Sequence, residues 1–301
     1  MQRRELNKIA VELKPMTNYE IIADSLAFPE GPVVMADDSV IVVEVFAGRI
    51  TRCWSGRKEV ICEIGDGPNG AAIGPDGALY VCNNGGINNH TLVKRDGTGR
   101  IERVDLATGR YERLYDTCDG VPLSAPNDLM FDCDGNIWFT DFGRLESNGK
   151  RFGGLYCARS DGIAITQIYG NAHSFNGVGI SPDMQTVYVA DTIQARIYAF
   201  ERKLAKQRPR LIATVPGLVS LDSLAMSAAG NICVATIGER GAISTVTPQG
   251  NVSTTFTDDQ VTTNIAFGGT DMRDAFVTLS VKGLLIRMRW HEPGMPLVYN
   301  G

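Results

Sequence analysis

No stretch of this 301-residue chain approaches the ~20 consecutive apolar residues that cross a bilayer, so no membrane partner is expected. Residues Met1 to Met16 mix Arg, Lys and Glu among isolated apolar positions and lack the apolar core of a secretory signal, which makes a cytoplasmic location the expectation. Cysteine occurs seven times but never as a C-x-x-C pair; that argues against a zinc ribbon, and the odd number argues against a full disulfide framework. Most of these thiols are expected to be reduced and partly buried, with Cys53 and Cys62 the one pair that a hairpin could bring near each other. The net charge is -5, with Lys and Arg scattered rather than gathered in a stripe, which argues against a nucleic-acid partner and for a small molecule. Convincing amphipathic helices are almost absent, and that disfavours an α/β fold.

What the chain does have is a repeat. Six short segments rich in β-branched and aromatic residues recur: VIVVEV from Val40, ALYVCN from Ala78, NIWFTD from Asn136, TVYVAD from Thr186, NICVAT from Asn231 and DAFVTL from Asp274. Most follow a turn signal such as Pro75 to Gly77, Cys133 to Gly135 or Ser181 to Asp183. A further strand comes after several of them, as in GRITRCW from Gly48 and ARIYAFE from Ala195, and a weaker fourth follows. Four antiparallel strands repeated six times describe an all-β, six-bladed β-propeller, because a β-sandwich would not hold one strand-turn-strand pattern in register six times. We expect an N-terminal arm over 1–18 and a single propeller domain over 19–301, with the strand around YEIIADSL completing the last blade beside the segment ending at Trp290.

About ten residues before each repeat segment stands a polar oxygen donor: Glu30, Asn69, Asn127, Asn176, Asp222 and Asn264. Asn-Gly pairs are common turn formers, yet turn chemistry would also admit Ser, Gly, Pro or Lys at these positions. Six carboxylate or amide side chains at one phase of six innermost strands instead predict a ring converging on the propeller axis. Two carboxylates among neutral amides, with no His or Cys nearby, form a hard-oxygen set suited to Ca²⁺ or Mg²⁺. Calcium is the first choice for the resting ion, with manganese, magnesium and zinc as alternatives in catalysis.

The stretches SAPNDLMFDCDGNIWFTD from Ser124, FNGVGISPDMQTVYVADT from Phe175 and TNIAFGG from Thr263 carry a resemblance that runs from Phe28 to the end of the chain. The chain resembles the regucalcin and gluconolactonase family of six-bladed propeller lactonases. That resemblance implies one divalent metal held by Glu30, Asn176 and Asp222, with Asn127 binding substrate or a water. The chain departs from the pattern at Ser223, where many relatives carry glycine, and this weakens extrapolation to sugar substrates.

The expected activity is metal-dependent opening of a small lactone, gluconolactone-like or another ring ester, by direct water attack, since no Ser/His/Asp triad or Cys nucleophile motif is present. Asp222 is the candidate general base, with Glu30 second, and Asn127 and Asn69 orient substrate or water. His90 and His173 are candidates for substrate contact from loops at the mouth, and the segment with Asn83, Asn84 and Asn88 is expected on the rim. Asp141 and Asp191, at the ends of their strands, are expected to hydrogen-bond within their blades. An esterase or phosphotriesterase on the same site, or a non-catalytic calcium- or ligand-binding propeller, are the competing readings.

Overall fold

A computed structural model describes residues 18–86, 97–146, 149–204 and 207–299. All regular elements among them are strands, and no helix there is long and apolar enough to cross a membrane. Six four-stranded antiparallel sheets form the six blades of the propeller. The innermost strands, in chain order, are Pro29–Val34, Pro68–Ile73, Pro126–Phe131, Phe175–Ile180, Val219–Met226 and Thr262–Gly268, and each packs on its two neighbours in a closed ring. The second strands are Val40–Glu44, Leu79–Asn83, Asn136–Asp141, Thr186–Asp191, Ile232–Gly238 and Asp274–Leu279. The outer position of blade six is filled from the other end of the chain, where Glu20–Ala23 pairs antiparallel with Leu284–Arg289. Of the expected arm, 1–18, only Asn18 falls among the described residues.

The second strands are apolar almost throughout because a blade is covered on both faces, so the period-2 alternation of side chains sends successive residues into different cores. Leu79 and Val81 pack towards blade one, while Tyr80 and Cys82 pack towards blade three. Val187 and Val189 face blade three, and Tyr188 and Ala190 face blade five. Six such clusters result, one at each blade-to-blade junction. The junction that closes the ring joins Ile22, Phe276 and Leu285 of blade six to Val40, Val42 and Cys53 of blade one.

The turns that join innermost to second strands need one residue in the left-handed region. Gly77 and Gly135 supply it at φ 77° and 80°, and Asp38, Met184 and Met272 do so in blades without that glycine. All seven cysteines are free; Cys53 sits opposite Lys58 and Cys62 opposite Ile50 across the same hairpin.

The closing strand yields a stability test. Ile22 is buried in the seam and Ile21 beside it is half exposed. Ile22→Ala should lower unfolding free energy by about 2–4 kcal/mol, and Ile21→Ala by less than about 0.5 kcal/mol, in urea denaturation. Equal effects would mean that the seam is not built as described.

Candidate functional site on the propeller axis

Each innermost strand starts at the same mouth of the ring, and each carries a register irregularity at its first residues. A β-bulge adds a residue to one strand and re-aims a side chain. Here it turns Glu30, Asn69, Asn127 and Asn176, each the second residue of its strand, and Asp222, the fourth residue of the longer strand in blade five, into a shared cavity of ≈ 220 Å³. The five residues that the sequence pattern brings together therefore meet from five different blades.

Blade six differs. Thr262 stands opposite Leu279, as Pro29 stands opposite Glu44, so Thr263 and not Asn264 is the counterpart of Glu30. Asn264 lies one residue later, at the position of Gly31, Asp128 and Ser223. It does not line the mouth cavity; its Nδ2 donates to Glu30 Oε2 at 2.9 Å from the layer below. The expected sixth member of the ring is thus a support of the first.

The glycines of the Glu-Gly and Asn-Gly pairs are not in turns. A Cβ on Gly31 would stand 2.5 Å from the carbonyl oxygen of Asn69, and one on Gly177 would stand 2.7 Å from that of Asp222. The next blade's site residue passes too close for any side chain. Where the position is not glycine, the side chain bonds instead. Ser223 Oγ donates to Asn176 Oδ1 at 3.5 Å, and Asp128 accepts from the backbone N–H groups of Leu129 at 2.9 Å and Val178 at 3.4 Å. Ser223 is fully buried within a strand, so it neither makes a turn nor lines the mouth cavity.

A second set of acceptors fixes the entry to these strands. Glu44, Asn83, Asp141 and Asp191 end their second strands opposite the first residue of the innermost strand. Glu44 Oε2 accepts from Ala27 N–H at 2.7 Å, and Asn83 Oδ1 from Gly67 and Gly85 N–H at 3.1 Å. Asp141 accepts from the N–H groups of Ser124, Ala125 and Gly143, while Asp191 accepts from Ser174 Oγ and Gln194 N–H. Asp141 and Asp191 bond within the scaffold and do not line the axial cavity.

Three carboxylates lie near the axis, Glu30 and Asp222 at the mouth cavity and Asp128 below it. Glu30 is 2% exposed and burial pushes its carboxyl up to about 7. Burial and then the Glu30 charge raise Asp128 to about 7, and burial followed by Glu30 and Asp128 holds Asp222 well above the usual carboxylate range. The sequence pattern does not single out Asp128, because its Pro-Asn-Asp setting reads as a turn and only the register shows that it points below the mouth cavity. It lines a mostly apolar cavity of ≈ 90 Å³ on the far side, which Met295 and Tyr299 help to enclose.

The amides are arranged as acceptors. Asn176 Nδ2 donates to Thr192 Oγ1 at 3.2 Å, and the Oδ1 atoms of Asn69 and Asn127 are buried with no hydrogen-bond partner. Among the described residues no three His, Cys, Asp or Glu side chains gather in a metal-binding arrangement, so any cation here would rely on amide oxygens as well as Glu30 and Asp222. Buried acceptors without donors beside mutually repelling carboxylates fit a hard divalent cation.

Above the polar floor the walls change character. Phe142, just past its second strand, and Ile237, near the end of its own, face the cavity together with Phe28 and Ala125. Phe28 is in the left-handed region at φ 62°, which costs a non-glycine residue roughly 1–2 kcal/mol. It is stacked on Phe46 at 4.5 Å. His173 does not reach the cavity. Its neighbour Ser174 turns inward to Asp191, so the His173 ring turns outward and meets Phe152 edge-on at 4.8 Å. His90 and Asn88 lie outside the described residues.

Residues 28–281 match the model of the SMP-30/gluconolactonase/LRE-like region. The chain belongs to this family. A gluconolactonase of Zymomonas mobilis is 28% identical over 202 residues, covering 60% of this chain and 53% of its own length. Lactonase drp35 of Staphylococcus haemolyticus is 27% identical over 175 residues, or 57% of this chain and 50% of the relative, so the matched part spans about half the length of these curated relatives. Regucalcin from Agrobacterium tumefaciens, a calcium-binding protein, superposes with a TM-score of 0.73 at 20% identity over 95% of this chain and 99% of its own. At that identity the likeness speaks to the fold.

The orphaned amide of Asn127 can be tested directly. Asn127→Leu should stabilise the protein, stripped of metal by a chelator, by about 1 kcal/mol in urea unfolding, because a buried unpaired acceptor is removed. A loss of stability would show that the amide has a structural partner.

Proposed function

We propose that this protein is a metal-dependent lactonase that opens a small ring ester in the axial cavity. The observation that carries the reading is the set of five side chains from five blades, four buried and Asn69 half-buried, two of them carboxylates and two with unpaired amide oxygens, that line one pocket. Relatives named gluconolactonase and lactonase support the reaction class, and the calcium-binding regucalcin neighbour supports a divalent ion. Glu30, Asn176 and Asp222 would hold the ion, with calcium the first choice. When bound, such an ion supplies Lewis acidity towards the ester carbonyl and charge compensation for the buried carboxylates.

The chain's own residues do the rest. Asn127 and Asn69 present carbonyl oxygens that accept from a water and orient it towards the carbonyl carbon. Asp222 accepts that water's proton. The new C–O bond forms from water, the ring C–O bond breaks, and the proton passes to the departing alkoxide, leaving a hydroxy acid. Asn264 and Gly31 N–H, both bonded to Glu30 Oε2, keep that carboxylate aimed at the pocket.

Asp222→Asn and Glu30→Gln should each lower kcat/KM on a lactone by at least about 100-fold, measured by acid release at constant pH. A chelator should abolish turnover and added Ca²⁺ should restore it. Full turnover in either variant, or in the chelated protein, would sink the reading.

Stability should depend on pH in a definite direction. The Glu30 and Asp128 carboxyls, at about 7 in the fold, lie above their ordinary values of 4.5 and 3.8. Their contribution is thus complete below about pH 4 and is lost as pH rises through 7. The melting temperature of chelated protein should fall between pH 5 and pH 8, and the rise on adding Ca²⁺ should be larger at pH 8. A calcium effect that is greater at pH 5 would contradict the charge arrangement.

A further inference from the structure

Resting on the lactonase reading, we infer that the substrate is a lactone bearing an apolar alkyl or aryl group, and that Phe28, Phe142 and Ile237 select it against polyhydroxylated sugar lactones. The floor of the cavity provides oxygen acceptors for the ester and for water. The wall above it provides Phe28, Ala125, Phe142 and Ile237. Ring hydroxyls facing these four groups would leave water without gaining a partner, whereas an alkyl or aryl group would gain contact and lose only unfavourable hydration.

Among the lining residues, the polar groups of Thr192 and Asn84 are tied to the scaffold. Thr192 Oγ1 accepts from Asn176 Nδ2, and Asn84 Oδ1 accepts from Gly86 N–H at 2.9 Å. Among the described residues that line the cavity there is no Lys, Arg, His or Gln to reach a run of hydroxyls.

Phe28 supplies a second, independent observation. An aromatic residue is held in a left-handed backbone conformation at the edge of the cavity. The bonds from Phe28 N–H to Leu26 O and from Val45 N–H to Phe28 O hold it there, together with the Glu44 clamp on Ala27. A turn that needed only the backbone would be better served by glycine. The ring instead stacks on Phe46 and lines the same cavity as Ile237 and Phe142. Unlike Asp38, Met184 and Met272, whose left-handed backbone makes hairpin turns, Phe28 combines that backbone with a place in the cavity lining.

The test compares kcat/KM of the Ca²⁺-loaded protein on 3,4-dihydrocoumarin and γ-nonalactone with that on D-glucono-δ-lactone. The expected preference for the apolar pair is about 100-fold or more, and Phe142→Ala with Ile237→Ala should reduce the ratio by roughly 10-fold or more. Binding is measured in parallel on the chelated protein by calorimetry, with 3,4-dihydro-2(1H)-quinolinone, a lactam that resists opening, and with D-glucono-δ-lactam. The quinolinone should bind at least about 10-fold more tightly, and the double variant, checked for its β-sheet circular dichroism, should lose that margin. Equal or better turnover of gluconolactone would overturn the inference and leave the lactonase reading standing. Tighter quinolinone binding with no turnover of any lactone would overturn the lactonase reading while supporting the apolar pocket. Equal binding of the two lactams would overturn the inference whatever the turnover.

Discussion

Everything at the axis depends on how an innermost strand is delivered to it, and in four blades that is decided by one hydrogen-bonded clamp. A buried acceptor at the end of the second strand, Glu44, Asn83, Asp141 or Asp191, bonds the connector that leads into the strand beside it. The connector has no regular structure of its own, so the N–H groups that Glu44, Asn83 and Asp141 take would otherwise be buried unpaired, while Asp191 takes the Ser174 hydroxyl. By taking them, the clamp fixes where the first residue of the strand sits, and the bulge that follows aims the second residue at the cavity. The geometry of the axial cavity is thus set by residues that do not line it.

The same economy of space explains the chemistry of the layer. Blades converge so closely at the centre that glycine is required at Gly31 and Gly177, and the positions that are not glycine carry small polar groups that bond to a neighbour. Glu30 illustrates the balance. It receives two hydrogen bonds, from Gly31 N–H and Asn264 Nδ2, yet burial still outweighs them and raises its proton affinity. The Glu30 charge in turn adds to the burial that raises Asp128 and Asp222. Such a layer is stable when protonated or when a cation neutralises it, and strained when fully ionised and empty.

Much of this was legible in the residues. The six apolar segments reveal the blades because a strand covered on both faces must be apolar at every position, and that signal repeats with little variation. Five of the six axial donors were legible for the same reason, since they fall nine or ten residues before those segments. Asn264 misleads because Thr262 and Thr263 are both polar, so the eye aligns the amide while the pairing of Thr262 with Leu279 aligns the threonine. Asp128 is hidden by its neighbour, since Asn127 faces the mouth and its own side chain faces the opposite cavity. The apolar wall is invisible to a search for chemistry-bearing residues: Phe28 and Ile237 look like core, and only the backbone angle of Phe28 and the position of Ile237 past its strand's apolar run set them apart. His173 fails for a simple reason of alternation, because the inward position belongs to Ser174.

The seam between Glu20–Ala23 and Leu284–Arg289 joins segments more than 260 residues apart in the chain. Contacts of such long sequence separation form late, because loop-closure entropy has to be met before they contribute. Five blades can therefore collapse from local hairpins while the sixth waits for its outer strand, and the axial layer, which needs Asn264 of blade six against Glu30 of blade one, is completed only when the circle shuts. Assembly of the site and closure of the ring are in this sense a single event, so a folding intermediate with an open seam would carry most of its sheet structure and an unfinished axial layer.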